Sequence, residues 1–280
     1  MRGRRRVRPA CLAGLAIVGT LVACVDSSSI SIEEEREMGL AVAQEAMREM
    51  PLLEDEPIAR FVRELGEVIV SRADTTGRAY EFQVIDSHVA NAFAIPGGFV
   101  FVNRGILTRA ESASELAGVI AHEIGHVVER HGLEQMAKAQ NTNTVVGLVY
   151  VLLGRAPGAA EQVALQVAGS AWLAKHSREA EREADRVAVL YLARAGFDPR
   201  GMPRFFERLL DEERRAPSEL LAWFSTHPLT QDRITDTEAM ISQLPDDVVE
   251  RGTRDLRQFA QMRRRLEELP PAPPAPRALP

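Results

Sequence analysis

Apolar residues recur along much of this chain at helical spacing. Leu116, Val119, Ile120, Ile124, Val127 and Val128 fall three and four residues apart, as on a helix with one buried face. Ser112, with Glu115 three residues on, marks the start of that helix as a capping box, and Gly132 marks its stop. Gly118 and Gly125 interrupt it. Each costs about 1 kcal/mol against alanine, which points to close approach by another element or a substrate. A second helix opens at Ser177 and runs to about Ala195, with Gly196 as terminator. Its Ala180, Ala184 and Ala188 would permit tight packing against the first helix. Ser31 with Glu34 caps an early helix, and Pro57 suits the first turn of another. Tyr80 to Ile85 and Phe99 to Val102 read as short strands, rich in aromatic and β-branched residues. Between them Asn91 to Gly98 holds Pro96 and paired glycines, which suit an edge or a turn. Past Asp246 a charged helix is expected to reach Leu269, followed by a disordered proline-rich tail over 270–280.

The N-terminal end has a different pattern. Arg2, Arg4, Arg5, Arg6 and Arg8 precede an apolar stretch from about Cys11 to Ala23. That stretch is well short of the roughly 20 residues that span a bilayer, so it reads as a secretory leader. It ends in Leu21-Val22-Ala23-Cys24, the form of a bacterial lipobox, and cleavage before Cys24 would leave a lipid-modified amino terminus. Val25, rather than an aspartate, favours the outer membrane, facing the periplasm. The apolar run Val145 to Leu153 is again too short to span. It lies in a glycine- and alanine-rich stretch over 141–169, where a flap and a buried connection are both open readings. Cys11 and Cys24 are the only cysteines, so the mature chain has neither a pair for a disulfide nor a thiol for a metal. Loss of residues 1–23 would move the net charge from −6 to −11, and an acidic chain without a basic stripe is a poor partner for nucleic acid. With 45 % hydrophobic residues and no internal repeat, one globular domain is expected and an appended helical-repeat domain is not.

The chemistry concentrates on the two central helices. His122 and His126 lie four apart in His122-Glu123-Ile124-Gly125-His126, so both imidazoles reach one side of the helix and one metal ion. Glu123 stands beside them as a candidate base. Glu181 and Asp185 are also four apart. A hydrolytic zinc site commonly has three protein ligands, and Glu181 fits as the third. Asp185 fits as the carboxylate that accepts from the far nitrogen of a ligating histidine. Glu179, Arg182 and Glu183 read as solvated charges. His88, His131 and His176 read as structural or solvated, although His131 is near enough to support a ligand.

Four blocks in order give the chain a family resemblance: Asn91 to Gly98, His122 to His126, Ser177-Arg178 with Glu181 and Asp185, and Thr226-His227-Pro228 with Arg233-Ile234. It resembles the metallopeptidases typified by HtpX and the CAAX prenyl endopeptidases, most closely their envelope-facing bacterial members. The resemblance covers about residues 33 to 243. It implies an α+β fold: a mainly helical gluzincin-type metalloprotease domain with a small sheet beside the active-site helix. It implies one Zn2+ held by His122, His126 and Glu181, with Glu123 as general base toward a zinc-activated water. His227 and Arg233 become candidates for stabilising the oxyanion. Asn91, Ala92, Phe93 and Ala94 become the edge on which an extended polypeptide would lie. The expected division is a lipoprotein signal peptide over 1–23, a zinc metallopeptidase domain over 24–246, a helix over 247–269 and the tail. The expected work is endoproteolysis of misfolded or unassembled envelope proteins by a lipid-anchored enzyme. The rival is an envelope assembly factor or chaperone with latent protease activity, held closed by His227 at the open metal position. A metal-dependent hydrolase acting on something other than peptide is a further alternative.

Overall fold

The structure is a computed structural model that describes residues 30–138, 177–215, 223–224 and 226–273. The leader with Cys24, the stretch over 141–169, His176 and residues 274–280 lie outside the described residues. The described chain is mainly helical with one small sheet, an α+β architecture. In order it forms α1 (Ile32–Glu49), α2 (Glu56–Ala73), β1 (Glu81–Ile85), β2 (Ala92–Ile95), β3 (Phe99–Asn103), α3 (Arg104–Arg109), α4 (Ala113–Val128) and α5 (His131–Lys138). There follow α6 (Arg178–Ala195), α7 (Gly201–Arg215), α8 (Gln231–Ile241), α9 (Asp246–Glu250) and α10 (Arg257–Glu268). Among the described residues no helix is long and apolar enough to cross a membrane.

Local side chains set most helix starts. Ser31 and Glu34 form a reciprocal capping box on α1, and Asp55 caps α2 with Pro57 in its first turn. Ser177 accepts the Ala180 N–H at the start of α6, and Gly196 ends that helix with φ +81°. Ser112 accepts the Glu115 N–H, but the return half of the expected box is diverted. Glu115 accepts instead from the Glu111 N–H at 2.7 Å and from both terminal nitrogens of Arg208 at 2.7 and 2.9 Å. Burial pushes its carboxyl up, but these hydrogen bonds and the Arg208 charge outweigh burial and hold it below its ordinary value. The bonds therefore stabilise the fold above the unfolded carboxyl's pKa of about 4.3, and that stability is lost as the pH falls through the lower folded value. Glu115→Gln should cost about 1.5–3 kcal/mol at neutral pH. Denaturant titrations at successive pH values should show the difference from wild type shrinking on acidification.

Two boundaries differ from the sequence expectation. Gly132 is not the stop of the histidine-bearing helix. α4 ends at Val128, and Arg130 takes a left-handed φ of +59° to turn the chain into α5. Its guanidinium is anchored on Glu35 at 2.9 Å and on the Ile30 carbonyl at 2.6 Å, which helps a non-glycine residue hold that conformation. The single helix expected over 247–269 is two. Between α9 and α10 the backbone leaves the helical path to pair with the segment after α6: Thr253 N–H donates to Gly196 O, and Asp198 N–H to Thr253 O. Phe259, Met262 and Leu266 of α10 then enter the main core, with Phe259 against Phe61 of α2.

The sheet order is β1-β3-β2, with β3 parallel to β1 and antiparallel to β2. All five residues of central β3 are buried, as its position requires. β2 is an edge strand, joined to β3 by a turn in which Gly97 and Gly98 have φ of +84° and +90°. A Cβ on Gly97 would lie 2.5 Å from the Arg36 Cα, so α1 sits directly on this turn. The buried Glu35 of α1 accepts from Gly97 N–H and pairs with Arg78 and Arg130. The interrupting glycines of α4 explain themselves by contact. A Cβ on Gly125 would meet Ala184 O at 2.8 Å, and one on Gly118 would meet Met202 Cα at 3.1 Å. Helices α6 and α7 thus approach α4 at backbone distance, and His122 comes to face Glu181.

Candidate active site

α4 brings His122, Glu123 and His126 to one place because residues three and four apart project toward a common side of the helix. α6 supplies Glu181 and Asp185 across the Gly125–Ala184 contact. The short turn before α8 supplies His227, whose N–H donates to Trp223 O and whose ring lies 4.9 Å from the Trp223 ring. All are buried. His122 Nε2 is 3.0 Å from His126 Nε2 and 3.3 Å from His227 Nδ1. Glu181 Oε1 is 3.2 Å from His227 Nδ1 and 3.4 Å from His126 Nε2.

These four side chains form the potential metal-binding group found among the described residues. Zinc binds imidazole nitrogen and carboxylate oxygen at about 2.0–2.2 Å, which places tetrahedral ligands about 3.3 Å from one another. The observed spacings match that edge length, and three nitrogens with one oxygen suit zinc chemically. The residues fit the ion. Three carboxylates, Glu123, Glu181 and Asp185, against one buried guanidinium, also favour a cation electrostatically.

The surroundings orient these donors. His122 Nδ1 is 2.9 Å from Asp185 Oδ1. Burial opposes the charged form of His122, but Asp185 and Glu181 outweigh it and hold its pKa up at about 9. Burial likewise pushes the Glu181 carboxyl up; the charges of His227 and Arg233 and hydrogen bonds from His122 and His126 more than reverse this, leaving it well below its ordinary value. Arg233 Nε and Nη2 grip both oxygens of Asp185 at 2.8 and 2.7 Å. Its Nη1 contacts Glu181 Oε2 at 2.6 Å and donates to Pro228 O at 3.1 Å. Every guanidinium nitrogen thus faces an oxygen that belongs to the protein.

Glu123 stands beside the donor set. Its Oε1 is buried, 3.4 Å from His227 Nε2, and forms no hydrogen bond among the described residues. Burial raises its carboxyl above the ordinary value, against the opposing charges of His227 and His122. The backbone N–H of Ala94, on edge strand β2, faces this carboxylate. The other expected edge residues are used elsewhere. Phe93 stacks on Phe101 in a separate apolar cluster, Ala92 is buried in the main core, and Asn91 is buried with its carbonyl bonded to the Asn103 N–H. What the strand offers the site is backbone. The sequence carries no sign of Trp223 and reads Glu183 as a solvated charge. Trp223 seats His227, and Glu183 reaches His131 Nε2 at 2.9 Å. A lone tryptophan and one glutamate in a charged run carry no spacing signal. His88 lies outside the site, its carbonyl against Gly105 and Arg109.

Known proteins resemble this chain in sequence. The model of peptidase family M48 matches residues 58–241. The β-barrel assembly-enhancing protease of Escherichia coli K12 is 33 % identical over 231 residues, which cover 80 % of this chain and 47 % of that one. The mitochondrial metalloendopeptidase OMA1 of Schizosaccharomyces pombe is 30 % identical over 231 residues, covering 81 % of this chain and 66 % of that one. The chain spans about half the length of the bacterial relatives it matches. The chain belongs to peptidase family M48, and its matched region is a metalloprotease domain.

Proposed function

We propose that this chain is a zinc-dependent endopeptidase, anchored by lipid in the bacterial envelope, that hydrolyses misfolded or unassembled envelope proteins. The observation that carries the reading is the buried donor set of His122, His126, Glu181 and His227 with Glu123 beside it. A purely structural zinc site needs no base, and Glu123 has a buried oxygen left without a hydrogen bond among the described residues. Zinc, when bound by His122, His126 and Glu181, supplies Lewis acidity toward a carbonyl and brings the pKa of water toward 7. Glu123 accepts the nucleophile's proton at its carboxylate and returns it to the leaving amine; burial, by raising its carboxyl, suits it to both steps. Asp185 orients His122. Arg233 is a positioning residue, because its donors are spent on Glu181, Asp185 and Pro228 O rather than directed at substrate. The polypeptide adds to the β2 edge near Ala94, where main-chain pairing gives broad specificity.

The envelope setting rests on the basic n-region, the apolar run and Leu21 to Cys24, together with the relatives named for β-barrel assembly. Cys24 carries the lipid, the outer membrane holds it, and the partners are unfolded polypeptides and the assembly machinery they come from. A second reading, the latent enzyme or assembly factor, is favoured by one contact set. His227 Nδ1 faces both His122 Nε2 and Glu181 Oε1, and its Nε2 faces Glu123, so its ring stands between the other donors and the candidate base.

One experiment addresses both. The purified chain is loaded with one zinc and given an unfolded protein, with and without chelator, alongside His227→Ala. Cleavage that stops on chelation and returns with zinc supports the peptidase, and zinc bound without any cleavage by either form overturns it. A rise in cleavage for His227→Ala is expected if the ring holds the site closed. A fall at every zinc and substrate concentration assigns His227 a catalytic role instead.

A further inference from the structure

The second zinc-facing histidine has support that runs through another histidine. His126 Nε2 faces the donor set, so its proton resides on Nδ1, and Nδ1 lies 2.9 Å from His131 Nδ1. A bond between these two nitrogens requires His131 Nδ1 to accept, which places the His131 proton on Nε2. That nitrogen is 2.9 Å from Glu183 Oε2. Every proton in the sequence Glu183, His131, His126 is therefore assigned by the atom it faces. His131 is buried, and its ring packs 5.0 Å from the His126 ring at 69°. Glu183 retains 39 % side-chain exposure and closes the chain at the surface.

From this geometry we infer that His131 and Glu183 are positioning residues for the metal centre, acting as one relay that fixes the tautomer of His126 and raises its affinity for zinc. The inference rests on the zinc reading of the site. Asp185 and Glu183 then do parallel work from one helix. Asp185 faces His122 directly, while Glu183, two residues earlier, reaches His126 through His131. The left-handed turn at Arg130 makes this possible. It ends α4 and brings His131 back beside His126, five residues away, where a continued helix would carry the ring around the axis.

Zinc affinity, measured by competition with a chromogenic chelator, tests the relay independently of activity. His131→Leu should weaken binding about 10–100-fold, the usual effect of losing an outer hydrogen-bond partner of a ligand. His131→Asn, whose amide oxygen can accept from His126 Nδ1, should recover part of that loss. Glu183→Ala changes a part-exposed side chain and leaves the core untouched, so it remains informative if His131→Leu fails to fold. It should weaken binding several-fold alone and add nothing in the His131→Leu background, because the relay is already cut. Glu179→Ala, an exposed neighbour on the same helix, should leave the affinity unchanged. Wild-type affinity in folded Glu183→Ala, or full additivity in the double variant, overturns the relay while the peptidase stands. Absence of zinc binding by wild type overturns both.

Discussion

Glu123→Gln lowers the cleavage of an unfolded protein by about 10²–10⁴-fold, the range set by loss of a positioned general base, while zinc remains bound. The substitution keeps the shape of the side chain and removes its capacity to take up a proton. It leaves His122, His126 and Glu181 in place, since Glu123 is one residue from His122 on a helix whose packing does not change. The amide can still meet the Ala94 N–H through its oxygen, so the edge strand stays where it is. The measurement is single-turnover cleavage together with metal content. A drop in rate with one zinc retained assigns the proton transfer to Glu123. A rate within a few-fold of wild type, zinc retained, places the base elsewhere.

Arg233→Met destabilises the chain by about 3–5 kcal/mol, the cost of leaving buried charges without their partner. Arg233 is 6 % exposed and lies over the Phe206 ring, and it faces two carboxylates from one helix. Methionine fills much of its volume but leaves Asp185 and Glu181 opposite an apolar side chain. The loss is expected in full under chelation, and smaller with zinc, because the ion takes over compensation of Glu181. Arg233→Lys recovers only part, since one ammonium cannot reproduce the two-point grip on Asp185 and the contact to Glu181. Urea unfolding of both variants with and without zinc gives the four values. A loss below about 1 kcal/mol for Arg233→Met under chelation would mean that the carboxylates take up protons instead.

The Arg233 prediction also bears on two roles that the local motif leaves together. Spacing after Thr226-His227-Pro228 admits an arginine that contacts substrate as readily as one that bridges helices. The contacts favour the bridge: the guanidinium is occupied by Asp185, Glu181 and the Pro228 carbonyl. The His227 ring is directed into the donor set from a turn whose connection to the site is not visible along the chain.

What the sequence by itself determined is what depends on neighbours a turn away. The caps at Ser31, Ser112 and Ser177, Pro57 in the first turn of α2, the stop at Gly196 and the shared faces of His122 with His126 and of Glu181 with Asp185 are of this kind. Helical geometry fixes such relations within four residues, so they can be read without knowing the fold. Tertiary structure decided what depends on which surfaces meet. Glu115 left its cap for Arg208, and Arg130 ended α4 where Gly132 was expected to, because Glu35 from α1 was there to hold it. The C-terminal helix broke because Thr253 found a partner beside Phe197. Glu183, one more charge in an acidic run, gained its place beside His131 only when α6 packed on α4. Contacts between distant segments are chosen by the burial of whole faces, and no local spacing encodes them.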